Sequence, residues 1–133
     1  MELKVVSSLD VETEKLATAI IDCAFQVHAA MGPGLLEKIY EECLICEFRD
    51  RNIRFERQKP ILLNYKTHKL DLEYKLDLLV DDRIVVELKN VEQLSDLHKA
   101  QILSYMKLFN KRLGLLINFN APLIKQGIKR VVL

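Results

Sequence analysis

The sequence predicts an α/β domain in which helices flank a central mixed β-sheet. In the first 50 residues, apolar side chains recur at three- and four-residue steps, which is typical of helices. From residue 53 to residue 89 the period changes to two, in short apolar pieces separated by polar turns, which is typical of antiparallel strands. Another helical segment and two short apolar runs follow, and a length of 133 residues suits a single domain over 1–133.

Two helices are predicted before the sheet, over residues 11–31 and about 35–51, because a Met-Gly-Pro-Gly sequence separates two stretches of helical period. The residues predicted to face the core are Leu16, Ile20, Cys23, Val27 and Met31 in the first helix, and Leu36, Tyr40, Cys43 and Leu44 in the second.

The sheet is predicted from the remaining apolar runs. Pro60 lacks the N–H that an interior strand needs, so it indicates a bend or an edge strand. A third helix is expected over about 95–110, with Leu97, Ile102, Tyr105 and Phe109 on its inner face. The predicted strands are 53–58, 60–65, 68–80, 84–89, 113–118 and 127–133.

Composition limits the class of protein. No apolar run approaches the roughly 20 residues that span a membrane, and the chain does not start with a basic segment followed by an apolar one, so a cytoplasmic protein is expected. Cys43 and Cys46 form a C-x-x-C, but it lies in a stretch of helical period. Because Cys23 is the only other thiol, these cysteines are interpreted as small apolar residues rather than as a metal site.

Charge is unevenly distributed along the chain. Residues 1–50 carry a net charge of −6 and residues 51–133 a net charge of +7, which together give +1. The basic portion could attract a polyanion such as nucleic acid, or the two portions could neutralise each other within the fold. Trp is absent and only 7% of residues are aromatic, so no aromatic-rich stacking surface is evident and sequence-specific reading of single strands is not expected.

Three ionisable residues interrupt two apolar strands near the middle of the predicted sheet. Glu87 and Lys89 are two residues apart on one strand, so their side chains leave the same face. Asp77 lies between two leucines of the preceding strand. Buried charges are costly unless they are paired, hydrated or bound to a metal. One explanation is a buried Glu87–Lys89 salt bridge beside a partly exposed Asp77.

A metal site is the other explanation, and it depends on the length of the hairpin loop. A three-residue loop at 81–83 places Val80 opposite Ile84, and therefore Asp77 opposite Glu87 on one face. Two carboxylates at that separation repel each other, and a hard divalent cation relieves the repulsion. A two-residue loop would turn Asp77 and Glu87 to opposite faces.

Phosphodiester hydrolysis follows from this arrangement. A metal held by Asp77 and Glu87 would bind a phosphate oxygen and lower the pKa of a water molecule. Lys89, one step further along the same face, would orient that water or stabilise the charge that develops on the phosphate.

The pattern D-x(9)-E-x-K followed by a helix resembles the core signature of the PD-(D/E)XK nuclease superfamily. Gln101 and Tyr105 form a Q-x-x-x-Y on that helix, which looks like the marker of the RecB-like branch. The resemblance implies a restriction-endonuclease-like fold, Mg²⁺ or Mn²⁺ as the cofactor, and a site flanked by Gln101 and Tyr105. The glutamine is then expected near the lysine or the substrate phosphate. Taken alone, these two residues indicate only a solvated glutamine and a packed tyrosine.

Nearly the whole chain resembles the small bacterial proteins named GxxExxY, whose motif is matched by Gly34, Glu37 and Tyr40. The superfamily often brings an acidic residue of this helix to the metal, so Glu37 is a candidate third ligand; a first-turn glutamate favoured by the helix dipole is the alternative. Tyr40 is expected to pack or hydrogen-bond near the sheet. His28 is a weaker candidate ligand, since a lone helical histidine is more often part of the core.

The expected function is metal-dependent hydrolysis of nucleic acid, with DNA as the expected substrate. A chain of this size has little beyond a catalytic core to select a substrate, so a homodimer or a larger protein partner is also expected. The alternatives are a nucleic-acid-binding module with little turnover and a protein-interaction module on the same fold.

Overall fold

A computed structural model of the chain describes residues 9–133 and has one five-stranded sheet in the order β1-β2-β3-β4-β5. β3 and β4 are parallel and the other neighbours are antiparallel, so the predicted mixed sheet flanked by helices is confirmed. The prediction of one domain over 1–133 includes residues 1–8, which lie outside the described part. The elements are α1 (Val11–Met31), α2 (Glu37–Asp50), β1 (Phe55–Tyr65), β2 (His68–Val80), β3 (Ile84–Lys89), α3 (Asp96–Leu108), β4 (Leu113–Asn118), α4 (Ile124–Gly127) and β5 (Ile128–Val132).

Both faces of the sheet are covered. α1 and α2 pack on one face, against a cluster that includes Ile20, Leu44, Val86, Leu88 and Leu115. α3 packs on the other face, against a cluster that includes Leu79, Val85, Ile102, Met106 and Leu116. β3 and β4 are therefore buried on both sides, which explains their nearly continuous apolar sequences. In residues 9–133 no helix is both long enough and apolar enough to cross a membrane.

Three residues predicted to face the core are exposed instead. Met31, Leu36 and Leu97 are 40%, 72% and 76% accessible, respectively. Met31 ends α1, Leu36 is the residue before α2, and Leu97 lies in the first turn of α3. The apolar pattern of each helix extends to its end, but the sheet does not extend far enough to cover these three residues.

The strand prediction was wrong at β1, which is one strand and not two. It lies at the edge of the sheet, as Pro60 indicated, and its register against β2 shifts between Pro60 and Leu62. β2 accommodates the shift at Glu73, whose φ of 58° is in the left-handed region. None of residues 61–75 pairs with β3, so this segment extends past β3 as a hairpin arm. The four-residue α4 before β5 was not predicted.

The hairpin between β2 and β3 has the predicted three-residue loop. Val80 pairs with Ile84, so residues 81–83 form the turn. Asp81, at φ 49°, is held by Arg54, whose Nε and Nη2 donate to its Oδ1 at 3.0 and 2.8 Å. Backbone pairing then runs to Leu78 and Val86, and the next positions along the two strands are Asp77 and Glu87.

Candidate active site

Asp77 and Glu87 replace the backbone ladder with reciprocal side-chain bonds. The Asp77 N–H donates to Glu87 Oε1 at 2.9 Å, and the Leu88 N–H donates to Asp77 Oδ2 at 2.8 Å. Asp77 is half-buried and Glu87 is only 4% accessible. Each carboxyl group is thus anchored through one oxygen, and the two groups face each other across the end of the hairpin.

Electrostatics at this pair favours a bound proton or a cation. Burial, followed by the charge of Asp77, raises the pKa of Glu87 to about 8. Burial also raises the pKa of Asp77. The hydrogen bonds that Asp77 makes with the Leu88 N–H and with the Glu87 side chain lower this pKa in part. Lys89 favours the ionised form of both groups without cancelling these effects. Two carboxyl groups that resist ionising together are a good site for a positive ligand.

Lys89 is linked to α3 by a chain of side-chain hydrogen bonds. Its Nζ donates to Gln101 Oε1 at 3.2 Å, and Gln101 Nε2 donates to the Tyr105 hydroxyl at 2.9 Å. The pKa of Tyr105 is raised by burial and then by the negative charge of Glu87, so its hydroxyl lies near the carboxyl pair. The structure therefore brings Asp77, Glu87 and Lys89 together with Gln101 and Tyr105.

Glu37 approaches the same place from α2. It is exposed as a residue, yet burial of its carboxyl group raises its pKa, followed by the charge of Asp77, while Lys89 lowers it. The loop between α1 and α2 sets this position, because two hydrogen bonds hold it. The Tyr40 hydroxyl donates to Gly32 O at 2.6 Å and accepts from the Leu35 N–H at 3.0 Å.

The same loop is also tied to the end of β3, because Asn90 Nδ2 donates to Leu35 O at 2.8 Å. Gly34 has a φ of 90°, which explains a glycine at this turn. The Tyr40 ring stacks on Phe119 with centroids 4.5 Å apart. Gly34 and Tyr40 thus hold the loop that places Glu37 beside the carboxyl pair.

Comparison with known families identifies the fold to which this site belongs. The family model described as the PD-(D/E)XK nuclease superfamily matches residues 14–131, which is most of the chain. This chain belongs to the PD-(D/E)XK nuclease superfamily. None of the curated proteins and none of the solved structures with which the chain was compared matches it.

Membership of the PD-(D/E)XK superfamily accounts for the architecture. The mixed five-stranded sheet with flanking helices agrees with the restriction-endonuclease-like fold. Members are usually nucleases, act on nucleic acid and typically use divalent metal ions.

The residues at the end of the PD-(D/E)XK hairpin fit such an ion, although they are not gathered around one point. In residues 9–133 no three His, Cys, Asp or Glu side chains converge closely enough to hold a metal. Asp77 and Glu87 nevertheless supply two adjacent carboxyl groups, each with one oxygen not used by the backbone bonds described above. Oxygen donors of this kind are those that Mg²⁺ and Mn²⁺ prefer. Glu37 lies within electrostatic range of Asp77 and would complete the set by a side-chain movement.

His28 is engaged elsewhere. Its Nε2 donates to the carbonyl oxygen of Ala121 at 2.8 Å, which ties α1 to the segment after β4. That bond occupies the nitrogen on this side of the ring and gives His28 the structural role that a lone helical histidine usually has. Cys43 and Cys46 lie on α2 and Cys23 is buried on α1, as the helical period predicted.

Glu41 is a residue that sequence reasoning missed. It is 4% accessible, one turn after Glu37, and its charge raises the pKa of both Glu37 and Asp77. Arg57 Nη2 and Gln58 Nε2 donate to it at 2.9 and 2.6 Å, respectively. Gln58 lies at φ 51° on β1. Glu37 and Glu41 are four residues apart on one helix, on either side of Tyr40 in the sequence. This spacing could have indicated that the two carboxylates lie on the same face of α2.

Proposed function

We propose that this protein is a divalent-metal-dependent nuclease that hydrolyses phosphodiester bonds in nucleic acid, with DNA as its substrate. The observation that carries the proposal is the carboxyl pair of Asp77 and Glu87, with the Lys89 ammonium group tethered beside it by Gln101. An acidic pair with raised pKa values and a positioned amine are the parts that metal-assisted hydrolysis needs.

Asp77 and Glu87 would hold Mg²⁺ or Mn²⁺, with Glu37 as a third carboxylate. When bound, the ion supplies Lewis-acid polarisation of the phosphate and eases deprotonation of the attacking water. Lys89 orients that water or stabilises the negative charge that grows on the phosphate oxygens. Gln101 accepts from Lys89 and so restricts where its ammonium group can lie, while the Tyr105 hydroxyl accepts from Gln101 and fixes the amide orientation.

Within the superfamily, we place the chain with the GxxExxY proteins and the RecB-like branch. Gly34, Glu37 and Tyr40 form the first motif, and each has a distinct part in the α1–α2 loop and its approach to the site. Gln101 and Tyr105 form the second, on the helix that contacts Lys89.

Cleavage of labelled DNA by the purified chain, in Mg²⁺, Mn²⁺ or EDTA, tests the nuclease proposal. We expect metal-dependent cleavage that falls to background in Asp77→Asn, because a ligand of the ion is lost, and by about 100-fold or more in Lys89→Ala, because the ammonium group that acts on the water or the phosphate is lost. Asp82→Asn is the matched control: it changes an exposed aspartate of the same hairpin and should keep wild-type activity.

Equal cleavage by all three variants, or no metal-dependent cleavage of any nucleic acid, would contradict the proposal. Salt-sensitive binding without cleavage would instead indicate a binding module on the nuclease fold, and the absence of both would favour a protein-interaction module.

A further inference from the structure

A cleft of about 300 Å³ lies between α3 and the hairpin arm of residues 61–75. Aliphatic side chains and two tyrosine rings form most of its surface, and the amide of Gln101 adds a polar group. The residues that matter here are Ile61, Leu72, Tyr74, Gln101, Tyr105 and Leu108. We call this space the arm cleft.

The arm cleft adjoins the candidate active site, because two residues belong to both. Gln101 lines the cleft and accepts the hydrogen bond from Lys89, and Tyr105 lines the cleft while its hydroxyl accepts from Gln101. Burial and then the charge of Glu87 raise the pKa of Tyr105, and Asp77 and Tyr74 contribute in the same direction. A group in the cleft would therefore be next to a phosphate held at the carboxyl pair.

Tyr74 gives the cleft an exposed aromatic wall. Its ring is on the arm, and the residue is 60% accessible although it is large and mostly apolar. The irregularity at Glu73 sets the local backbone, and an N–H bond from Glu73 to Asp71 Oδ1 at 2.9 Å supports it. An exposed aromatic side chain that lines a cleft together with a second tyrosine and aliphatic residues suits a flat heteroaromatic group.

We propose that the arm cleft binds an unpaired nucleobase adjacent to the scissile phosphate, so that the enzyme acts on single-stranded DNA or frayed ends. The proposal rests on the nuclease function above and adds the class of substrate to it. A base in a duplex is stacked between its neighbours and cannot enter a side cleft unless it is flipped out. An unpaired base offers a π-face to Tyr74 and polar edges to Gln101, and stacking of this kind tolerates any sequence.

Equilibrium binding of the full chain to three fluorescent probes in EDTA tests this proposal without hydrolysis. The probes are a single-stranded 12-nucleotide thymidine DNA, the same backbone with every base replaced by an abasic residue, and a blunt duplex. We expect the single strand to bind more tightly than the other two. Tyr74→Ala should weaken single-strand binding by about 5- to 100-fold and leave abasic binding unchanged, because stacking of one base is lost.

Two variants separate stacking from a general effect on the arm. Tyr74→Phe should retain single-strand binding, because the ring remains. Tyr65→Ala should also retain it, because Tyr65 is an equally exposed tyrosine on the arm that does not line the arm cleft.

Equal binding of the single strand and the abasic strand, or no effect of Tyr74→Ala, would overturn the base-binding proposal. If metal-dependent cleavage persists in that case, the nuclease function stands and only the substrate class is wrong. If no probe binds and no nucleic acid is cleaved, both proposals fail.

Discussion

At the scale of single residues, the Asp77–Glu87 pair is costly to the fold without a cation. Burial raises the pKa of both groups, and the charge of Asp77 raises that of Glu87 further, so the pair keeps a proton at pH values where exposed carboxyl groups have lost theirs. The neighbouring Glu37 has a raised pKa for the same reasons. Each of these groups makes the folded chain bind protons more tightly than the unfolded chain.

The stability of the metal-free protein should therefore fall as the pH rises. From the ordinary glutamate value of 4.5 to the raised pKa of Glu87 at about 8, the folded state holds a proton that the unfolded state has released. The free energy of unfolding then decreases with pH across that range and is fully retained only below it. We expect the Tm measured by circular dichroism in EDTA to decrease between pH 5.5 and pH 8.5.

Glu87→Gln should flatten this pH dependence, since an amide does not titrate. The exposed Glu92 of the loop after β3 provides the control, and Glu92→Gln should keep the wild-type slope. A slope that is unchanged in Glu87→Gln would contradict the assignment of the raised pKa to this pair.

At the scale of elements, the distance between α3 and β4 determines where Gln101 lies. A Cβ atom added at Gly114 would be 2.7 Å from Met106 Sδ and 2.9 Å from Ile102 Cδ1, which is closer than packed atoms approach. Both atoms are near the ends of buried α3 side chains, so a methyl group at position 114 requires these side chains or the helix itself to shift.

Gly114→Ala should push α3 away from the sheet. Overpacking of this kind typically costs about 1–3 kcal/mol of stability, and it would also draw Gln101 away from Lys89. We expect a lower Tm and a lower kcat, measured by thermal unfolding and by the cleavage assay. Lys107→Ala, on the exposed side of the same helix, should change neither; a stable, fully active Gly114→Ala would show that α3 is not held at this distance.

Local sequence signals predicted the elements that matter most to the site. The three-residue turn at 81–83 could be predicted because, of a two-residue and a three-residue loop, only the longer one puts Asp77 and Glu87 on one face. The two-residue apolar period could not show that one strand continues through Pro60, because this continuity depends on the irregular pairing of β2 near Glu73. α4 is one turn long and carries too few residues to show a period.

Contacts between distant segments were not predictable in the same way. The burial of Glu41 depends on Arg57 and Gln58, which come from another element. The arm cleft depends on Tyr74 meeting α3, which follows from the register shift rather than from composition. For this reason a chain with few aromatic residues can still place two tyrosine rings beside its candidate site.

At the scale of the whole molecule, the uneven charge is largely internal. Basic residues of the second portion pair with acidic residues of the first: Arg51 with Asp22 at 2.7 Å, Arg83 with Asp10 at 3.2 Å, Arg57 with Glu41 at 2.9 Å, and Arg130 with Glu14. This favours the interpretation that the two portions neutralise each other. Apart from Arg57–Glu41, in which Glu41 is buried, these pairs are at least partly exposed and add little stability each. Their main effect is to neutralise basic side chains locally. Recognition of nucleic acid would then depend on the site and the arm cleft more than on overall attraction.

Metal binding should stabilise the entire fold, because Asp77 and Glu87 come from two strands that only folding brings together. A ligand that binds the folded chain alone at 100 times its Kd adds about 2.7 kcal/mol, which corresponds to a Tm increase on the order of 10 °C for a domain of this size. Because the ligands must lose their protons, the increase produced by Mg²⁺ or Mn²⁺ should be larger at pH 8 than at pH 5.5.

Thermal unfolding with increasing metal concentration at both pH values measures this linkage independently of catalysis. Asp77→Asn should abolish most of the increase, because it removes an anionic oxygen that would hold the ion, whereas Asp82→Asn should respond like the wild type. An equal increase in both variants would mean that the ion binds elsewhere on the chain. No increase in the wild type at saturating metal would leave the carboxyl pair as a buried acid pair that shares a proton, and metal-assisted hydrolysis at this site would be excluded.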